Sequence, residues 1–283
     1  MALPVGKRQE QELELEQLEV ELLLEGVYRR YGYDFRHYAP ASLKRRLRRR
    51  MEGEHLETMS ALQERVLRDP AVMERLLLDL SINVTAMFRD PTFFRAFREL
   101  VVPPLRTYPF SRLWVAGCST GEEVYSFAIV LAEEGLSDRV RIYATDINQN
   151  VVDIARRGVF PLDKMQEYTQ NYISGGGTRS FSEYYVARYD GARFSRSLVD
   201  SVVFAQHNLA SDAAFNEFQA IACRNVMIYF DRPLQEHVHT LFYESLAMFG
   251  VLALGQKETI RFSPHEEAFE ELDAAEKLYR KVR

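Results

Sequence analysis

The sequence predicts an α/β fold with a doubly wound, mostly parallel sheet, preceded by a small all-helical domain and carrying a small inserted antiparallel β-subdomain. Apolar residues recur with helical spacing up to about residue 105, whereas short apolar strands alternate with helices beyond it. Such alternation is typical of parallel strands joined by right-handed crossovers. Between about residues 160 and 200 the alternation is interrupted by the aromatic, β-branched stretch FSEYYVARYDGARFS, which predicts the inserted subdomain.

Length and composition narrow the class of protein. The chain has 283 residues, 47% of them hydrophobic, and a net charge of −5, which fits one large or two modest globular domains. Cys118 and Cys223 lack zinc or redox spacing, which is typical of a reduced compartment. The N-terminus lacks an apolar signal region, and no run approaches the roughly 18 apolar residues of a membrane span. We therefore expect a cytoplasmic protein with no metal, no membrane insertion and no nucleic-acid partner.

The first part of the chain is predicted to be helical. Residues 1–25 form an acidic extension in which Leu15, Leu18, Leu22 and Leu23 have helical spacing. Residues 26–105 predict several short helices, and the prolines around Pro103 mark a linker.

One of these helices is strongly basic. Six of the seven residues from Lys44 to Arg50 are cationic, while Leu43, Leu47 and Met51 recur every four positions. The pattern predicts a helix that docks through one apolar stripe and exposes positive charge. An ordinary solvated face is the alternative, and RNA would also be attracted.

Residues 106–283 predict the α/β domain. A first strand leads through a loop of small residues into a helix, and a second strand ends at Asp146 before another helix. Three further strands and a helix follow the insertion, and the chain closes as a hairpin or edge strand. Their sequences are VVFAQHNL, AIACRNVMIYF, PLQEHVHTLFYESLAMFG, GVLALGQKE and FEELDAAEKLYRKVR.

The loop GCSTGEE and Asp146 together predict a nucleoside site. Both follow the carboxyl ends of predicted strands, where open α/β sheets bind ligands, and the carboxylate is placed to accept ribose hydroxyls. No GxGxxG or GxxxxGK motif cradles a phosphate, and Glu122 and Glu123 would repel one. A cationic, phosphate-free nucleoside such as S-adenosylmethionine fits better. The alternative is that Ser119 or Thr120 and the following glutamates form only a capping box.

Six motifs in a fixed order resemble one known family. They are NVTAMFRD (residues 83–90), GCSTGEEVYS, ATDI, HNL (residues 207–209), CRNVMIYF (residues 223–230) and GVLALGQKE. Over roughly residues 26–280 the chain resembles the CheR family of chemotaxis-receptor methyltransferases. These enzymes use S-adenosylmethionine to methyl-esterify glutamates on receptor cytoplasmic domains, leaving S-adenosylhomocysteine.

The resemblance implies which residues form the site. Cofactor contacts are expected at Asn83, Thr85, Arg89, Gly117, Glu123, Asp146, Asn208, Leu209, Arg224 and Asn225. Arg89 and Tyr229 are expected nearest the transferred methyl group. The basic helix is expected to recognise the acidic helical domains of the receptors through Lys44, Arg45, Arg46, Arg48, Arg49 and Arg50.

The implied chemistry suits these residue types. A glutamate nucleophile, with a pKa near ~4.3, is already ionised at neutral pH and needs no general base. Arg89 can clamp a carboxylate with its fork of donors, and the Tyr229 hydroxyl can orient one oxygen. The plainer alternatives are a surface pair of Arg89 with Asp90 and a packing role for Tyr229.

The sequence also departs from the family pattern. Val124 replaces a frequent proline, GQKE replaces GHSE, and the β-subdomain segment is longer and differently composed. We therefore do not expect tethering to a receptor's C-terminal peptide. Two other functions stay open: a methyltransferase acting on RNA or a small molecule, and an S-adenosylmethionine-binding sensor without turnover.

Overall fold

The computed structural model describes residues 5–81, 85–189 and 191–283, with side chains from residue 11 onward. Contacts divide the chain into two compact units, Met1–Ile82 with Tyr229–Leu234, and Asn83–Ile228 with Gln235–Arg283. The first boundary therefore lies at residue 82, whereas the sequence predicted residue 105. The reason is aromatic packing, since Phe93 and Phe97 lie 6.1 and 4.9 Å, between ring centroids, from Phe127 of the α/β unit.

Residues 5–81 of the helical unit form four helices. They are α1 (Val5–Tyr31), α2 (Pro40–Gly53), α3 (Met59–Arg68) and α4 (Pro70–Leu80). Thr58 caps α3 and Asp69 caps α4 through their side-chain oxygens, which accept backbone N–H groups of the first turns. Pro70 occupies the first position of α4, where its missing N–H is not needed.

The predicted N-terminal extension is continuous with the rest of α1, which runs without a break to Tyr31. Its apolar face also differs from the prediction. Leu15, Leu18 and Leu22 are exposed, whereas Leu23 lies in the core beside Val20, Leu24 and Val27. The leucines therefore lie on two faces of α1, because residues 15, 18 and 22 share one side and the buried set shares the opposite one.

The α/β unit begins with helical segments that precede its first strand. Its helices are α5 (Pro91–Ala96), α6 (Val102–Thr107), α7 (Glu122–Glu133), α8 (Gln149–Arg157), α9 (Met165–Ser174) and, from Gln235 onward, α10 (Arg232–Ser245), with a π-helical turn at Phe97–Val101. Its strands are β1 (Ser111–Ala116), β2 (Val140–Asp146), β3 (Val159–Phe160), β4 (Tyr185–Arg188), β5 (Gly191–Phe194), β6 (Val203–Gln206), β7 (Phe218–Cys223), β8 (Leu246–Leu254), β9 (Phe269–Asp273) and β10 (Leu278–Lys281).

Seven strands form one sheet in the order β6-β2-β1-β7-β8-β10-β9. The first five are parallel, and the C-terminal hairpin adds β10 and β9 in antiparallel pairing. This confirms the predicted doubly wound, mostly parallel sheet. The chain winds outward from β1 through β2 to β6 and then returns to the other side of β1 with β7. The carboxyl ends of β1 and its neighbours therefore flank the crevice in which such sheets bind ligands.

The inserted subdomain is a three-stranded antiparallel sheet in the order β3-β5-β4. It also contains α9, a helix that the sequence analysis missed in a segment ending at three consecutive glycines. A buried carboxylate anchors the subdomain to α7: Glu133 accepts the Tyr184 hydroxyl at 2.9 Å and the Thr178 N–H at 3.1 Å. No helix among residues 5–81, 85–189 and 191–283 is long and apolar enough to cross a membrane.

Candidate cofactor and active site

The loop after β1 is shaped by two glycines in the left-handed region. Gly117 has φ +76° and Gly121 has φ +100°, a region that L side chains rarely adopt. A Cβ on Gly117 would lie 2.4 Å from Cγ2 of Val226, and one on Gly121 would lie 2.8 Å from Cβ of Ala155. The small residues are therefore required by close packing as well as by backbone conformation.

Asp146 ends β2 directly beside this loop. Its Oδ2 accepts the Ser119 N–H at 2.9 Å, and its Oδ1 accepts the Asn148 N–H at 3.0 Å. Burial raises the pKa of the Asp146 carboxyl, while the backbone donors act in the opposite direction. The carboxylate is thus held at the predicted ribose position, and its two oxygens keep further lone pairs for hydroxyl donors.

The first turn of α7 carries two largely buried carboxylates. Glu122 accepts the Thr120 hydroxyl at 2.6 Å, and Glu123 accepts the Nη1 of Arg224 at 2.7 Å. Burial raises the pKa of Glu123, while the charge and hydrogen bond of Arg224 and the charge of Arg89 lower it. Two residues that were each predicted to contact the cofactor therefore contact one another.

Arg224 follows β7 and has several partners in this region. Besides Glu123, it binds Oδ2 of Asp90 at 2.9 Å and the carbonyl oxygen of Arg89 at 3.2 Å. Its guanidinium carbon stacks 3.8 Å from the ring centroid of Phe93, and its side chain is 1% exposed. Arg224 thereby joins α7 to the turn that carries Arg89, the predicted catalytic arginine.

That turn is sharply bent. Phe88 and Asp90 both have positive φ angles, +51° and +57°, and the Phe88 N–H donates to the Ser126 hydroxyl at 2.8 Å. Thr85 and Arg89 are half-buried here. Asn83, the remaining predicted contact of this motif, lies outside the described residues.

The segment after β6 supplies the predicted adenine contacts. The His207 N–H donates to the Asp146 carbonyl at 3.0 Å, which places this segment beside the end of β2. Leu209 is buried, and the Asn208 Oδ1 accepts the Ala210 N–H at 3.0 Å. The Nδ2 atom of Asn208 is buried without a hydrogen-bond partner among the described residues.

The strand predicted as AIACRNVMIYF is shorter than expected. It ends at Cys223, and Asn225 two residues later adopts a left-handed φ of +61°. Glu258 binds the following backbone N–H groups, and a 3₁₀ turn spans Met227–Tyr229. The residues predicted for the site did not include Glu258. The one signal that could have pointed to it is its place in the motif GQKE, at the end of a predicted strand.

Tyr229, the other predicted catalytic residue, belongs to the helical unit. The Ala39 N–H donates to its carbonyl at 2.8 Å, and the Arg46 guanidinium carbon lies 5.1 Å from its ring centroid. The structure therefore brings Tyr229 together with a residue of the predicted substrate-binding helix.

The six basic residues of α2 have different surroundings. Arg46 donates to the Leu80 carbonyl at 2.7 Å, and Arg50 binds Asp79 and Glu54. By contrast, Glu16 of α1 binds Arg48 at 2.6 Å and lies 3.9 Å from Lys44. Arg45 and Arg49 are exposed. These last four cations line one surface groove of α2 together with Ala41 and Glu52.

The fold and the candidate site are of the kind in which α/β proteins bind a nucleoside cofactor, at the carboxyl ends of parallel strands. Residues 83–278 match the family model for the CheR methyltransferase S-adenosylmethionine-binding domain, and residues 18–81 match the model for its all-alpha domain. The chain therefore belongs to the CheR methyltransferase family, which confirms the resemblance found in the sequence.

Relatives with assigned names cover most of the chain. The "Putative methyltransferase Cher3" of Pseudomonas putida is 50% identical over 264 residues, covering 93% of this chain and 97% of the relative. "Chemotaxis protein methyltransferase 2" of Pseudomonas aeruginosa is 33% identical, covering 79% and 78%. The "Chemotaxis protein methyltransferase" of Salmonella typhimurium is 30% identical, covering 82% and 80%.

The residues present fit S-adenosylmethionine. The unpartnered Nδ2 of Asn208 is a donor for a base nitrogen, since a buried amide without a partner costs free energy that a ligand can recover. The carboxylates at the start of α7 suit a cationic ligand better than a phosphate. Among the described residues, no group of three His, Cys, Asp or Glu side chains is arranged to hold a metal ion.

Proposed function

We propose that this protein transfers a methyl group from S-adenosylmethionine to glutamate side chains in the cytoplasmic helical domains of chemoreceptors, forming methyl esters in the cytoplasm. One observation carries the proposal: Asp146 ends one strand, and Glu123 and the Asn208 donor follow its two parallel neighbours, in a chain of the CheR methyltransferase family. Two of the relatives are named chemotaxis protein methyltransferases, and these names support a chemoreceptor as the substrate.

The cofactor contacts are proposed as the sequence assigned them. Asp146 accepts the ribose hydroxyls, Asn208 and Leu209 contact the adenine, and Glu123 faces the cationic methionine end. Asn83, Thr85, Gly117, Arg224 and Asn225 complete the site. The cofactor, when bound, supplies a methyl group activated by its sulfonium.

The methyl acceptor is proposed to be held by Arg89 and Tyr229. The acceptor carboxylate is ionised at neutral pH, so this chain needs only to orient it and exclude water. Arg89 can bind both carboxylate oxygens, and the Tyr229 hydroxyl can donate to one of them. Their role is therefore alignment of the nucleophile and not proton transfer.

The acidic receptor helices are proposed to bind on α2. Lys44, Arg45, Arg48 and Arg49 line its surface groove and provide the positive potential that attracts them. Arg46 and Arg50 are proposed to add to this potential while they hydrogen-bond within the helical unit, Arg46 to the Leu80 carbonyl and Arg50 to Asp79.

A labelling assay tests the proposal. Purified protein is incubated with methyl-labelled S-adenosylmethionine and an acidic helical receptor fragment, and the label is expected on protein and to be released by mild alkali. Label that survives alkali, or that transfers to RNA in preference to the fragment, would contradict it.

Two substitutions test the assigned roles. Arg89→Ala and Tyr229→Phe are expected to reduce turnover about 100-fold, within the range that orientation supplies, with much smaller losses of cofactor affinity. Arg95→Ala and Tyr189→Phe, at exposed positions, are the matched controls. Equal losses of turnover and affinity would assign Arg89 and Tyr229 to binding alone.

A further inference from the structure

Glu258 makes an unusual set of contacts for one side chain. Its Oε2 accepts the N–H groups of Asn225 at 2.9 Å and Gly255 at 2.6 Å. Its Oε1 accepts those of Val226 at 2.9 Å and Met227 at 2.7 Å. The residue is 6% exposed, so one buried carboxylate accepts all four N–H groups.

These contacts determine the shape of the chain after β7. Three consecutive N–H groups converge on the carboxylate, an arrangement that the backbone reaches because Asn225 is left-handed at φ +61°. Without Glu258 these largely enclosed donors would lose their acceptor, which disfavours the bend. The bend at residues 225–227 therefore depends on a side chain that lies more than thirty positions away in the sequence.

The same bend supports the cofactor loop. Val226 packs closely against Gly117: a Cβ on Gly117 would lie 2.4 Å from Cγ2 of Val226. Gly255, a further Glu258 partner, is also close-packed, since a Cβ added to it would lie 2.7 Å from the Asn225 nitrogen. On the other side of the bend, Arg224 binds Glu123 and Asp90. A shift of residues 224–226 would therefore move the loop after β1 and the first turn of α7 together.

We propose that Glu258 is a positioning residue for cofactor binding: its carboxylate gathers the N–H groups of residues 225–227 and thereby fixes Val226 against Gly117 and Arg224 against Glu123. The inference rests on the proposed function, in which this loop holds S-adenosylmethionine. It assigns to the glutamate of GQKE a role that does not need the histidine of the more usual GHSE.

The test compares three variants. Glu258→Gln replaces one acceptor oxygen by an amide that cannot accept an N–H, Glu258→Asp keeps the carboxylate on a shorter stem, and Glu267→Gln, at an exposed position nearby, is the matched control. Affinity for S-adenosylhomocysteine is measured by calorimetry, and backbone hydrogen exchange is followed for residues 225–227 and for β1. Circular dichroism checks folding.

Glu258→Gln is expected to weaken the binding of S-adenosylhomocysteine about tenfold or more, and tenfold is the equivalent of about 1.4 kcal/mol. Exchange should rise at residues 225–227 and stay unchanged in β1, and Glu258→Asp should recover part of the affinity. If Glu258→Gln does not fold, the Asp variant is decisive, because its shorter stem should still weaken binding and raise exchange at residues 225–227.

An affinity within twofold of the wild type in a folded variant, or exchange that rises uniformly through the sheet, would overturn the inference, since either result describes a residue that only stabilises the fold. The proposed function fails in a different way. Absence of methyl transfer to receptor fragments, with the affinity loss and local exchange as expected, would leave the role of Glu258 standing.

Discussion

Arg224 and Glu123 are joined by a 2.7 Å hydrogen bond across 101 positions of sequence. The bond lies in a buried setting, where the Arg224 side chain is 1% exposed and also binds Asp90. A single cation therefore connects three segments: the turn before α5, the first turn of α7 and the end of β7. Both residues are also expected to contact the cofactor, so the pair links the segments of the candidate site as well as lining it.

Arg224→Lys should separate charge from geometry at this position. Lysine keeps the charge but lacks the planar fork that binds Glu123 and Asp90 at once, so one carboxylate loses its partner. We expect a loss of about 1–2 kcal/mol in the free energy of unfolding and about tenfold weaker S-adenosylhomocysteine binding. Denaturant titration and calorimetry measure the two quantities, with exposed Arg157→Lys as the control. An unchanged affinity would show that the fork is dispensable.

Asp146→Asn should weaken cofactor binding about tenfold or more, because the neutral amide loses the charge that accepts the ribose hydroxyls. Binding to the wild type should also weaken on acidification. The ionised carboxylate is the acceptor and burial raises its pKa, so affinity falls as the pH drops through a value above that of an ordinary aspartate. Calorimetry across pH checks both effects, with exposed Asp163→Asn as the control. A wild-type affinity that does not change with pH would contradict the assignment.

Reversing the charge of both Arg45 and Arg49 to glutamate should raise the KM for an acidic receptor fragment about tenfold and flatten its salt dependence. Both side chains are exposed, so the free energy of unfolding should change little. Arg68→Glu, an exposed cation of α3, is the control. Methylation kinetics at two salt concentrations provide the measurement, and an unaltered KM would remove α2 from substrate recognition.

Glu16→Gln should have the opposite effect on the same substrate. Glu16 binds Arg48 and lies near Lys44, so its charge competes with acidic helices for these cations. Neutralising it is expected to lower the KM for the receptor fragment a few-fold, while stability changes by less than about 1 kcal/mol because the pair is partly exposed. Exposed Glu14→Gln is the control. An increase in KM would mean that Glu16 instead orders the basic groove.

Acid stability should depend on His239, which is buried in α10. Burial lowers the pKa of its imidazole to about 4 from 6.5, so the native state binds fewer protons than the unfolded state between these values. The contribution of His239 to the free energy of unfolding should therefore be complete above pH 6.5 and should decline as the pH falls toward about 4. The decline should be shallower in His239→Gln, measured by denaturant titration. In His237→Gln, an exposed position of the same helix, the wild-type slope should persist, and equal slopes in all three proteins would exclude His239 as the cause.

Local patterns were sufficient for much of the fold. The period of apolar residues located β1, α7 and β2, because each buries a face whose spacing is written in the sequence itself. The boundary at residue 82 was not visible in this way. It depends on Phe93 and Phe97 packing on Phe127, a contact between segments that are each compatible with either domain.

The sequence by itself determined the fold class, the family and the acidic, glycine-containing loops at the carboxyl ends of the strands, because these follow from local periodicity and from ordered short motifs. Only the tertiary structure decided that Glu123 binds Arg224, that Tyr229 lies with Arg46 in the helical unit, and that Glu258 holds the bend after β7. The physical reason is that hydrogen bonds and ion pairs of this kind form between buried groups far apart in the chain. Their partners depend on how the units fold and not on any spacing within one segment.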